Sequence, residues 1–143
     1  MARKLADSPR LLVASPDYLK EHGTPSSPAA LGHHNCITLG ETRNWSLVGP
    51  DAQVREVRVS GSFSTNFGEA ITEAVLGGLG IGLKSEWDVQ DHLRSGRLVT
   101  VLSDYRIDPA WNIWAVRPPG RLTPARVSAF TEFMEQKFGQ YDN

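Results

Sequence analysis

The chain has 143 residues, 40% of them hydrophobic, enough apolar material for one core and so for a single domain. Fifteen Lys and Arg against 16 Asp and Glu leave a net charge of −1, and the basic residues are scattered. A nucleic-acid-binding module usually gathers them into a patch or stripe, so this stretch is not expected to bind DNA by itself.

Its one cysteine, Cys36, excludes an internal disulfide and fits a reducing, cytoplasmic compartment. No run of about 18 apolar residues is present to span a membrane. The opening MARKLADSPR carries basic residues with no apolar stretch behind them, so it does not read as a signal peptide.

In chain order, RLLVAS at 10–15 is an apolar run of the kind that forms a strand buried on both faces. Pro16 then opens a short helix, PDYLKEH, and Gly23 stops it. Turn residues fill 24–28. NCITL at 35–39 and WSLV at 45–48 read as short strands, followed by a Gly49-Pro50-Asp51 turn and the alternating strand 54–59.

The stretch 66–83, NFGEAITEAVLGGLGIGL, is the richest. Asn66 suits an N-cap, with Glu69 three residues later at capping-box spacing. Ile71, Ala74, Val75 and Leu79 follow the helical period, Gly77 and Gly78 close the helix, and Ile81 and Leu83 make an apolar strand. With a strand expected over 57–65, this is a strand–helix–strand unit of a parallel sheet, whose ligands bind at strand carboxyl ends.

Beyond it, SEWDVQDHL at 85–93 is a helix with a Ser cap, then come strands over 98–102 and at WNIWAV, 111–116. Thr123 and Pro124 start a last helix whose stripe is Val127, Phe130, Phe133, Met134 and Phe138. Strands alternating with helices define an α/β class.

NFGEAITEAVLGGLGIGL resembles the effector-binding domain of LysR-type transcriptional regulators. RKLADSPRLLVASPDYLKEHGTPSSPAAL resembles that family's entry into its second lobe, and SGRLVTVL with WNIWAVRPPGRLTPARVSAFTEFM its closing strands and last helix. The resemblance implies a periplasmic-binding-protein type II-like lobe, a mixed sheet flanked by helices, with the first lobe and the winged helix-turn-helix largely missing.

It divides the chain into 1–15, a lead-in and first crossover strand (RLLVAS), 16–110, the second lobe, and 111–143, the second crossover strand and a helix returning to the first lobe. It further implies a small-molecule effector in an interlobe cleft, a homo-oligomer using the 85–93 helix with Trp87, Val89 and Leu93, and DNA contact only through an N-terminal domain.

By the same resemblance Thr38 falls on the strand that reaches the cleft and Asn66 at the helix N-terminus. Both carry compact polar groups able to hold a carboxylate or hydroxyl, and Leu39 and Phe67 beside them would supply an apolar wall. An N-cap role for Asn66 leaves its amide NH2 free for a ligand.

Other chemistries are weaker. The glycines at 77–82 follow a helix and lead into a strand, the reverse of a dinucleotide fingerprint. His33, His34 and Cys36 lack the second ligand pair of structural zinc, so surface histidines beside a buried thiol are expected and no metal or cofactor.

No G-x-S-x-G elbow occurs, and SGSFS at 60–64 reads as strand. His22 lies near Ser15 and Asp17 in sequence, but Pro16 and Asp17 read as a helix opening, and Glu132 and Glu135 fall on a solvated helix face, so no catalytic residue is expected. The alternatives are a lobe of a transporter's solute-binding protein, which an upstream signal peptide or lipid-anchor cysteine would favour, and a small α/β enzyme.

Overall fold

The computed structural model describes residues 2–109, 111–116, 129–130, 132–134 and 136–137. Its elements in order are β1 (Ala2–Ser8), β2 (Arg10–Ala14), α1 (Pro16–His22), a 3-10 helix (Pro28–His33), β3 (Cys36–Leu39), β4 (Asn44–Val48) and β5 (Val54–Arg58). Then follow β6 (Ser64–Thr65), α2 (Gly68–Leu76), β7 (Ile81–Ser85), α3 (Glu86–Arg94), β8 (Val99–Val101), β9 (Arg106–Asp108) and β10 (Trp111–Val116). The chain divides into two compact units, Met1–Pro9 with Ala110–Asn143, and Arg10–Pro109.

In the smaller unit β1 and β10 pair antiparallel, from Ala2 opposite Val116 to Ser8 opposite Trp111, with a register shift between Lys4 and Ala6. The partner of the closing strand is therefore ARKLADS, a segment too polar to read as a strand by itself. It is not RLLVAS, which pairs elsewhere. Ala129, Phe130, Glu132, Phe133, Met134, Gln136 and Lys137 are helical, and Phe130 and Phe133 are exposed. Thr123, Pro124, Val127 and Phe138 lie outside the described residues.

The larger unit is built on a five-stranded sheet in the order β6-β3-β7-β2-β8. β6, β3 and β7 run parallel, while β2 is antiparallel to both β7 and β8. Successive strand residues face opposite ways, and both faces are covered. Val13 and Ile37 pack with Ile71 and Val75 of α2, Val89 of α3 and Leu98. Leu12, Ala14, Cys36, Ile81 and Val101 pack on the other side with Tyr18, Leu31, Trp45, Leu47 and Val57. Trp45 and Leu47 come from β4, centre of a three-stranded antiparallel sheet ordered β5-β4-β9.

Local chemistry sets the helix ends. Ser15 caps α1 by accepting from the Tyr18 backbone N–H at 3.1 Å, and Gly23, at φ 86°, takes the left-handed turn beyond it. α2 ends at Gly77, with Gly78 in the left-handed region at φ 80°. Two expectations fail here. Asn66 is not the N-cap of α2: Phe67 holds that position, with no side-chain cap bond, because Thr65 Oγ1 accepts the Phe67 N–H at 3.1 Å and the helix begins one residue later. The 57–65 strand is broken, since β5 ends at Arg58 in the small sheet and only Ser64–Thr65 pair with β3. SGSFS is thus mostly loop.

Candidate functional site

The parallel strands β3 and β6 end side by side. Thr38 stands opposite Ser64 and Leu39 opposite Thr65, and the Gly40 N–H donates to Thr65 O at 2.8 Å. Gly40 then turns at φ 60°, a conformation that favours glycine, and Asn66 Oδ1 lies 3.2 Å from where a Cβ at that position would stand. Gly40, Glu41, Ser64, Thr65 and Asn66 line an open concavity of about 420 Å³. It sits at strand carboxyl ends beside the start of α2, where α/β sheets bind ligands.

Of the residues singled out from sequence, Asn66 lines this concavity. Thr38 is buried, with its Oγ1 3.5 Å from an Arg43 guanidinium nitrogen, and is not among the lining residues. Leu39 and Phe67 flank it and are exposed, Phe67 at 72%. Gly40, Glu41, Ser64 and Thr65 were missed. The one legible signal was Gly40 directly after a β-run.

Hydroxyl, amide and carboxylate groups in this lining can hold a polar molecule by several hydrogen bonds. The helix start adds partial positive charge, part of which Glu69 in the first turn offsets.

At the opposite end β3 starts in a closed polar network. Asn35 Nδ2 donates to Leu79 O at 2.7 Å and Ser62 Oγ at 3.1 Å, and its Oδ1 accepts from the Ser62 N–H at 2.7 Å. The Asn35 N–H reaches the Tyr18 hydroxyl, which also bonds His34 Nδ1 at 2.8 Å, and His22 stacks on the Tyr18 ring. Burial lowers the His34 pKa, with the neighbouring His22 and His33 adding to it. Cys36 is buried, its thiol donates to Leu31 O, and burial pushes its pKa up to about 12.

Among the described residues no three His, Cys, Asp or Glu side chains gather as a metal site. Nor is any helix among them long and apolar enough to cross a membrane. Ser15 spends its hydroxyl on the α1 cap rather than on His22.

α3 turns Val89 fully inward and leaves Trp87 47% exposed. Between the starts of α2 and α3 lies Lys84, 6% exposed, with Nζ 2.8 Å from Gly68 O and 2.6 Å from Asp88 Oδ2.

The LysR substrate binding domain family matches residues 1–139. The transcriptional regulator DmlR of Escherichia coli K12 is 38% identical over 148 aligned positions, covering 99% of this chain and 46% of that protein. The transcriptional activator TtdR of the same strain is 35% identical, covering 99% and 47%. The solved regulatory domain of CrgA from Neisseria meningitidis superposes with a TM-score of 0.83 at 28% identity, covering 96% of this chain and 69% of that one.

The chain belongs to the LysR substrate-binding-domain family. Its fold is accordingly that of LysR regulatory domains, periplasmic-binding-protein type II-like, with mixed sheet and flanking helices. The chain spans about half the length of the curated relatives it matches, and those relatives are named as transcriptional regulators, not enzymes.

Proposed function

We propose that this chain is the effector-sensing part of a LysR-type transcriptional regulator acting in the cytoplasm. A small molecule bearing a carboxylate or hydroxyl binds at the carboxyl ends of β3 and β6 and changes how the full-length protein contacts DNA. The observation that carries this reading is the concavity of Gly40, Glu41, Ser64, Thr65 and Asn66 at the start of α2, in a chain matched by the family over 1–139.

Asn66 and Ser64 would hydrogen-bond the ligand, Leu39 and Phe67 would pack against its apolar part, and buried Thr38 would hold the end of β3. The second lobe is assigned to 16–110, with 1–15 and 111–143 leading to and from a first lobe. DNA binding is assigned to an N-terminal domain and self-association to α3 with its exposed Trp87. A ligand can drive such a change only through different affinities for the two states.

The test is a screen of small carboxylates and polyols against the chain, read by amide chemical shifts. A binder should move Gly40 and residues 64–67, and Asn66→Ala should weaken it about tenfold, the loss of one good hydrogen bond. Binders that leave these amides unmoved would remove the assignment.

A further inference from the structure

We propose that Lys84 is the strut that transmits occupancy of the β3–β6 concavity to helix α3, an inference that rests on the ligand-binding reading of that concavity. On β7 the residues facing the helices alternate, and Gly82 and Lys84 are two of them. Gly82 has no side chain, and a Cβ there would come within 2.7 Å of Val75 Cγ2, so α2 lies close on the strand. Lys84 then extends between the first turns of both helices.

Its backbone is fixed by pairing opposite Leu11 in β2. Its ammonium donates to the carbonyl of Gly68, first residue of α2, at 2.8 Å and meets Asp88 in the first turn of α3 at 2.6 Å. A Cβ at position 68 would come within 3.1 Å of Nζ, so a side chain there would crowd the ammonium against the backbone by a few tenths of an ångström.

Among the described residues Lys84 is the only charged side chain the fold buries. A buried ammonium is costly without its partners, so it holds both contacts together. Gly68 lies two residues from Asn66 in the concavity lining, and Asp88 directly follows the exposed Trp87. A ligand that moves 66–68 must therefore carry the ammonium with it or strand it. Either way the first turn of α3 responds, and with it the surface that bears Trp87. Coupling of this kind needs an element that both sites bias, and the Gly68–Lys84–Asp88 chain supplies a contiguous one.

The test fills the concavity without a natural ligand. Ser64→Cys is labelled at pH 7 with 2-sulfonatoethyl methanethiosulfonate, which the buried Cys36 thiol does not consume, and amide shifts are recorded. Labelling should move residues 66–70 and also 86–90. Lys84→Met should keep the first response and shrink the second several-fold, whereas Lys84→Arg, which retains the charge, should preserve it.

Asp88→Asn leaves the Lys84 contact to Gly68 in place and should also uncouple 86–90, which decides the matter if Lys84→Met folds poorly. No response at 86–90 in the parent, or a response undiminished in Lys84→Met and Asp88→Asn, would overturn the proposal. Failure of the ligand-binding reading shows separately, as natural ligands that leave Gly40 and 64–67 unmoved.

Discussion

The two ends of β3 differ in almost every physical respect. At its start the backbone is enclosed: Cys36 N–H donates to Ser60 O, Ile81 N–H to Asn35 O, and the Asn35 side chain ties Ser62 to Leu79. Gly61 and Gly80 allow the chains to approach so closely that an added Cβ would sit 2.2 Å and 2.1 Å from carbonyl oxygens of Cys36 and Asn35. At its finish Gly40 turns away, Leu39 and Phe67 stand in solvent, and hydroxyl and amide groups face an open hollow. Polar groups satisfied within the chain fix geometry, whereas polar groups facing a hollow are available to something else. One strand thus carries a self-satisfied anchor and an open polar end about four residues apart.

The sharpest way to break this contrast is at the anchor. Gly80→Ala should cost about 3 kcal/mol or more, beyond ordinary overpacking, because the atom in the way is backbone and cannot rotate aside. Urea unfolding would measure it, and a loss under 1 kcal/mol would show that the enclosure yields.

A smaller effect belongs to Cys36, whose pKa rises from 9.0 to about 12 through burial. The unfolded thiol ionises first, so the stability this group contributes is whole below about pH 9 and declines as pH rises toward about 12. Melts between pH 8 and 11 should show a slope that Cys36→Ala removes; equal slopes would contradict the burial. Smallest of all, Asn66→Ala should change stability by no more than about 0.5 kcal/mol, because Asn66 is exposed and does not cap α2. A larger loss would mean the open end is also structural.

The sequence was most legible where one residue type dictates one conformation. Pro16 and Gly23 bounded α1 as found, and the glycines after α2 and the apolar IGL of β7 fell where the pattern put them. Strands defined by pairing rather than composition were not legible: ARKLADS pairs with β10 although three of its seven residues are charged, and Arg106–Asp108 forms β9 only because β4 lies beside it. The 3-10 helix Pro28–His33 has no amphipathic period to betray it.

Asn66 lines the concavity but does not cap α2, the role its spacing suggested. A Thr65 hydroxyl caps the turn first and frees the Asn66 side chain for the hollow, a competition between neighbouring polar groups that spacing cannot resolve. Strand parity, which composition does not show, separates the neighbours on β3: Thr38 is buried where Leu39 is exposed.

The outer strands of the five-stranded sheet are very short, with β6 contributing two residues and β8 three. Stacking into fibrils takes segments of about six residues with backbone groups on offer. Neither rim is long enough to seed that stacking, so this sheet should tolerate the crowded, high-concentration conditions of overexpression without zipping strand to strand.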